Sequence, residues 1–192
     1  MRLVLASSSP RRKELLKQVG IPFEIMIPDV DESNISGTPE QVVKKLSFKK
    51  ACAVKNKLYD NDILILAADT VVSLDGIILN KPIDVYDAFA MLSKLSGRVH
   101  EVYTGVCLMW TGSPHAKTFV EKTKVFFKSL SEAEINDYID SGEPMDKAGA
   151  YGIQEKGALF VERIEGDYNN VVGLPVCAVH KMIEKMCMEG LS

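Results

Sequence analysis

The sequence predicts a mixed α/β fold in one domain, residues 1–192, with two lobes around a central cleft. Three observations carry that expectation. A continuous apolar run at residues 63–68 reads as a strand buried on both faces. Stretches of helical periodicity alternate with such runs and are opened by capping residues and stopped by glycine. No internal repeat, low-complexity tract or dividing linker interrupts the alternation.

The elements follow in order. Leu3-Val4-Leu5-Ala6 is a short buried strand. Ser9 then offers an N-cap oxygen, Pro10 suits the first helical position, and Leu15, Leu16 and Val19 supply a helical stripe that Gly20 ends. A second strand is expected at residues 23–27, followed by an acidic, turn-rich stretch over residues 28–37. Thr38-Pro39-Glu40-Gln41 is a capping box that opens a helix reaching about residue 58. Runs at 71–74 and 77–79 flank Asp75-Gly76, a hairpin signal. Asp84 caps a helix to about residue 95, which Ser96-Gly97 stops. Residues 99–110 and 115–127 are β-rich and joined by Thr111-Gly112-Ser113-Pro114, which predicts another hairpin. Ser131-Glu132-Ala133-Glu134 is a second capping box, for a helix ending at Gly142. Residues 145–157 are rich in glycine and alanine without periodicity, and a strand at 160–164 and a helix at 175–188 close the chain.

The formal net charge of −3 argues against a general nucleic-acid binder, so any anion site must be a local concentration of cations. Cys52, Cys107, Cys177 and Cys187 form no CxxC pair and read as reduced core thiols, and the three histidines show no ligand spacing. No apolar run approaches a membrane span, and the N-terminal run is too short for a signal peptide. A cytoplasmic protein with no membrane or nucleic-acid partner is the expectation.

Ser7-Ser8-Ser9-Pro10-Arg11-Arg12 breaks a rule of helix design. A helix N-terminus carries partial positive charge, yet Arg11, Arg12 and Lys13 stand there, each misplaced by roughly 0.3–1 kcal/mol. A phosphate chain at that turn would make the placement favourable; a solvated basic turn is the plain alternative. Removal of Arg12 is then expected to leave the unliganded protein as stable or slightly more so. Asp69 ends the buried run at residues 63–68, at the strand terminus where α/β proteins place ligands, though turn aspartates are common. Lys81, beyond the hairpin, can return toward the same sheet edge, and one of Lys49 and Lys50 is expected to point inward toward an anion. Asp29, Asp31 and Glu32 could hold a divalent cation as hard oxygen ligands, though acidic surface loops are commoner. Gln154 follows small residues that permit close approach of a ligand. There is no phosphate loop of the Walker type, no dinucleotide fingerprint and no nucleophile elbow.

Taken together and in order, Ala6-Ser7-Ser8-Ser9-Pro10-Arg11-Arg12, Ala68-Asp69-Thr70-Val71-Val72, Asn80-Lys81-Pro82 and Asp146-Lys147-Ala148-Gly149-Ala150-Tyr151-Gly152-Ile153-Gln154 resemble the Maf family of nucleoside triphosphate pyrophosphatases. Leu95-Ser96-Gly97, Tyr103-Thr104-Gly105-Val106 and Asn170-Val171-Val172-Gly173-Leu174-Pro175 extend the likeness over nearly the whole chain. The resemblance implies an ITPase-like α/β fold, a divalent metal cation (Mg2+ or Mn2+), and hydrolysis of a nucleoside triphosphate to the monophosphate and pyrophosphate. It implies that Asp69 accepts the proton of the attacking water and that Ser7, Arg12, Lys50 and Lys81 line the phosphate site. Glu32, or Asp31 beside it, matches an acidic position near the metal, which Asp69 shares. Arg11, Thr70 and Gln154 match the selectivity positions of the branch acting on dTTP and UTP. Other functions stay open at this point: a non-catalytic nucleotide-binding regulator of septum formation, or a dITP/XTP or 7-methyl-GTP pyrophosphatase of the same fold. A homodimer is neither required nor excluded.

Overall fold

The computed structural model of the chain describes residues 2–33 and 35–189. Arg2–Ala6 form β1 and Pro10–Gln18 form α1, capped by the Ser9 hydroxyl. β2 is Glu24–Ile25, and α2 is Pro39–Lys55, opened by the expected Thr38 capping box. β3 (Ile63–Leu74) turns into β4 (Ile77–Leu79), and α3 is Val85–Leu95, capped by Asp84. β5 (Val99–Trp110) and β6 (Ala116–Phe127) make the second hairpin, and α4 is Glu132–Asp140 with the Ser131 capping box. Short 3-10 turns at Glu143–Asp146, Ala148–Ala150 and Glu155–Phe160 occupy the glycine- and alanine-rich stretch. β7 (Val161–Glu165), α5 (Tyr168–Val172) and α6 (Val176–Glu189) complete the chain.

The strands form one mixed sheet in the order β2-β1-β3-β5-β6-β7, with β4 on β3. β1 runs parallel to β2 and β3, whereas β4 and β5 run antiparallel to β3. Two expectations are corrected here. β2 shrinks from the expected residues 23–27 to Glu24–Ile25, which pair with only Val4 and Leu5 of the five-residue β1. β3 does not stop at Ala68. It continues through Asp69 and Thr70 to Leu74, because β5 pairs with it without a break from Leu64↔Trp110 to Ser73↔Glu101.

The other edge of β3 is divided. β1 pairs with it from Ile63 to Ala67 and β4 from Val72 to Leu74. The four residues between, Ala68 to Val71, have no strand on that side among the described residues. Asp69 and Thr70 therefore stand at a notch in the sheet rather than at a strand end.

The period of two along β3 sends successive side chains to opposite faces. On one face, Ile63, Ile65 and Ala67 pack with Ala51 and Val54 of α2, and Val71 packs with Val42, Val43 and Leu46. On the other, Leu64, Leu66 and Ala68 meet α1 and α6, while Val72 and Leu74 meet α3 and α4. These last two clusters lie side by side on the same face, with Val161, Ile164 and Val171 packed against both. No helix among the described residues is long and apolar enough to cross a membrane. The four cysteines are free, but Cys177 is exposed, so the core reading fails for it: position 177 falls on the outer side of α6.

α2 approaches β5 at Gly105. A Cβ there would lie 2.4 Å from the backbone C and O of Val43, with no flexible group able to give way. Gly105→Ala should therefore destabilise the protein by about 1–3 kcal/mol, the usual scale of overpacking. Urea denaturation checks this; a variant unfolding at the wild-type midpoint would show that α2 is not seated on the glycine.

Candidate active site

The notch opens into a cleft of about 1350 Å³ lined by Ser7, Arg11, Arg12, Glu32, Lys50, Asp69, Thr70, Lys81 and Gln154. Lys13, Asp29, Asp31 and Lys49 do not line it, whereas every residue that the family resemblance assigned to the site reaches this one space. They arrive from six separate parts of the chain, which explains why no single segment identified the site.

Arg12 projects from the first turn of α1 and is nearly buried, at 9% exposure. Its Nε donates to the Gly173 carbonyl at 2.8 Å, Nη2 to Thr70 Oγ1 at 3.0 Å and Nη1 to Ser7 Oγ at 3.4 Å. All three acceptors are neutral, and no carboxylate among the described residues pairs with Arg12. Burial pulls the guanidinium below its ordinary pKa; the Asp69 charge opposes that pull and Arg11 adds to it. A guanidinium has five N–H donors, so one on each terminal nitrogen remains for a ligand, in the fork geometry that suits phosphate. The expectation that Arg12 could be removed at no cost in stability is overturned. Its side chain fills buried space, and its loss would withdraw donors from three acceptors at once, where an orphaned buried group costs ~1–3 kcal/mol. The argument from the helix dipole survives for Arg11, which is partly exposed and only 3.5 Å from Asp146 Oδ2.

Across the notch the charges are arranged differently. Asp69 faces α2, where Lys50 Nζ donates to its Oδ1 at 2.6 Å and also lies 2.9 Å from Glu32 Oε1. The inward lysine of the pair is Lys50; Lys49 instead donates to the Asp31 carbonyl at 2.5 Å on the surface. Glu32, rather than Asp31, faces the cleft, because the Asp31 carboxylate accepts from the Ser33 amide and hydroxyl at 2.9 and 2.6 Å. Those Ser33 bonds hold the Asp31 carboxyl below its usual range. No cluster of three or more His, Cys, Asp or Glu able to hold a metal exists among the described residues. Two carboxylates with an open cleft beside them nevertheless fit Mg2+, which is usually bound by one or two carboxylates together with substrate phosphates.

Lys81 and Gln154 lie at the rim, both exposed and both lining the cleft. Their loops are tied together by the Gly149 amide, which donates to the Asn80 carbonyl at 3.0 Å. Ala150 and Glu155 hold φ of 59° and 58°, left-handed values unusual outside glycine, on either side of Tyr151-Gly152-Ile153-Gln154. The segment is pinned from behind by the buried Tyr151 hydroxyl, 2.7 Å from His100 Nε2, and by the Gly152 amide donating to Tyr138 Oη at 3.2 Å. Burial pushes the His100 imidazole down to about 4, so it stays neutral near pH 7. Thr70 turns to the face opposite Asp69, where Arg12, Thr104 and Gly173 engage its hydroxyl. Gly173, Thr104, Asn170 and His100 received no role from the sequence. Only the motif strings containing the first three pointed toward them.

The model of the family described as Maf-like protein matches residues 2–186. The chain is 52% identical over 185 residues to a dTTP/UTP pyrophosphatase of Carboxydothermus hydrogenoformans, covering 96% of this chain and 98% of that protein. It is 50% identical to one from Pelotomaculum thermopropionicum, covering 95% of each. Among solved structures, the Staphylococcus aureus Ham1 protein is similar at a TM-score of 0.45 and 15% identity, over 66% of this chain and 72% of that one. A nucleoside-triphosphatase / dITP/XTP pyrophosphatase from Mycobacterium abscessus is similar at 0.41 and 15% identity, over 66% and 73%. The match over almost the entire length, together with the shared identity at half of all positions, makes this chain a member of the Maf family.

Proposed function

We propose that the protein hydrolyses nucleoside triphosphates, dTTP and UTP foremost, to the monophosphate and pyrophosphate. The observation that carries this reading is the buried Arg12, held by neutral acceptors with two donors free, across a notch from Asp69. A buried cation without a carboxylate partner is expensive to maintain and is expected where an anionic ligand completes it. The relatives named dTTP/UTP pyrophosphatase support the substrate class.

In this mechanism Arg12 and Arg11 hold the phosphate chain at the α1 N-terminus, and Lys81 approaches it from the opposite rim. Asp69 accepts the proton of the water that attacks phosphorus, with Lys50 holding its carboxylate in place. Stabilisation of charge on the transferring phosphoryl group is greater in a cleft that excludes water, where fixed cations act at lower dielectric. A divalent cation would be held by Glu32 and Asp69 and would supply Lewis-acid polarisation of a phosphoryl oxygen.

Asp69→Asn preserves shape and hydrogen bonding but cannot accept a proton, so turnover should fall by roughly 10²-fold or more. Circular dichroism and pyrophosphate release, measured on the same sample, check it; a folded variant with near-normal turnover would remove Asp69 from the mechanism.

Pyrophosphate should raise the melting temperature of the wild-type protein, and Arg12→Ala should abolish that rise. Melting curves with and without pyrophosphate decide the matter, since normal stabilisation of the variant would place the anion elsewhere.

Gln154 offers a neutral amide with both a donor and an acceptor, which suits the paired carbonyl and N–H edge of uracil or thymine. A 7-methylated guanine carries positive charge that a carboxylate would favour. We expect dTTP and UTP to exceed 7-methyl-GTP in kcat/KM, by up to ~10⁴ where polar contacts discriminate, and Gln154→Glu to narrow the gap. Competition among nucleotides in one reaction tests this: preference for 7-methyl-GTP or dITP by the unmodified protein would overturn the pyrimidine assignment.

A further inference from the structure

Thr104 sits in the middle of β5, fully buried and directly opposite Thr70 of β3. Its neighbours on the same face, Val102 and Val106, belong to the two apolar clusters of that face, so packing alone would place an aliphatic residue between them. The hydroxyl instead donates to the Asn170 carbonyl at 3.1 Å and lies 2.9 Å from Thr70 Oγ1.

A hydroxyl has a single proton. Since that of Thr104 is committed to Asn170, Thr70 must be the donor between the two threonines. The Thr70 oxygen then turns its lone pairs toward Arg12, whose Nη2 donates to it at 3.0 Å. The chain has one direction, from Arg12 to Thr70 to Thr104 to the Asn170 carbonyl. It closes into a ring, because Gly173, just beyond α5, accepts from Arg12 Nε at 2.8 Å. Asn170 itself is fixed by its side-chain amide, which donates to the Val102 carbonyl at 3.1 Å and to Thr123 Oγ1 at 2.9 Å.

We infer that Thr104 is a positioning residue for the reaction: it fixes the Thr70 proton and so aims the two free N–H groups of Arg12 into the cleft. This rests on the reading of Arg12 as the phosphate-binding group. Without the Thr104 oxygen, the Thr70 proton has only the Gly173 carbonyl, at 3.4 Å, and that carbonyl is already the anchor of Arg12 Nε. Two of the three supports of the guanidinium, Thr70 and Gly173, are then disturbed, although Arg12 makes no hydrogen bond to Thr104 itself.

The test is a double-mutant cycle with Thr104→Val, which keeps the shape, Thr104→Ser, which restores the oxygen, and Arg12→Ala. Steady-state hydrolysis of dTTP is measured with pyrophosphate affinity by calorimetry and a melting curve for each variant. Thr104→Val should lower kcat/KM and pyrophosphate affinity by about 10- to 100-fold, as displacement of a positioned group does. Thr104→Ser should recover to within about threefold, and in the Arg12→Ala background Thr104→Val should cost less than about twofold, since the contact it serves is gone. Equal losses in both backgrounds would show a merely structural role and overturn the inference, leaving the Arg12 reading intact. A neutral Arg12→Ala would remove both. If Thr104→Val does not accumulate as folded protein, Thr104→Ala removes the same oxygen and enters the same cycle.

Discussion

A guanidinium held away from water without a carboxylate is the constraint around which this protein is arranged. Desolvating such a cation costs several kcal/mol even after relaxation, so the surrounding fold must offer acceptors in fixed places. They come from the turn after β1 (Ser7), the centre of β3 (Thr70) and the residue beyond α5 (Gly173). Those segments are up to 161 positions apart from Arg12 in the chain. Gly173 serves at a φ of 128°, a conformation rarely open to residues with a Cβ. The N-terminal strand and helix, the central strand and the C-terminal helices are thus locked at one point, and the cleft wall takes its shape from that lock.

The divided edge of β3 explains how Asp69 and Thr70, adjacent in sequence and on opposite faces, serve one cleft. In a fully paired sheet they would be separated by backbone on both sides. Here β1 ends at Ala67's level and β4 begins only at Val72, so the space continues around the strand edge from one face to the other. Asp69 is reached from the α2 side through Lys50, and Thr70 from the α1 side through Arg12. On its other side β3 has no such interruption: β5 pairs with it continuously through Asp69 and Thr70, so their backbone is held from that edge.

Local signals were legible in the sequence and long-range ones were not. The Thr38 and Ser131 capping boxes appear as expected because each is settled within four residues. The unity of β3 was hidden because Asp69 and Thr70 look like a turn until β5 is known to pair across them. α5 escaped notice because five residues are too few to show a helical period. Arg12 was recognised as out of place in its helix, but its burial was invisible, since its acceptors lie on other elements. Thr104 was silent for the same reason: a lone threonine in a β-rich run is ordinary until its partner on the next strand is seen.

The electrostatics of the cleft follow from which face each residue occupies. On the α2 face a single ammonium, that of Lys50, is shared between the carboxylates of Asp69 and Glu32, so this wall keeps an excess of negative charge. On the α1 face Arg12 pairs with no carboxylate among the described residues, and Arg11 meets Asp146 Oδ2 at 3.5 Å. The cleft is therefore polarised across the notch, basic toward the helix N-terminus and acidic toward α2. On the proposed function, a triphosphate is drawn to the basic wall, where the helix dipole adds to the guanidinium groups. Its opposite side then faces two carboxylates across a gap that only positive charge can bridge favourably. Asp69 stands on that acidic wall, on the other side of the notch from Arg12, and on the proposed function this leaves room for water to approach phosphorus between the two.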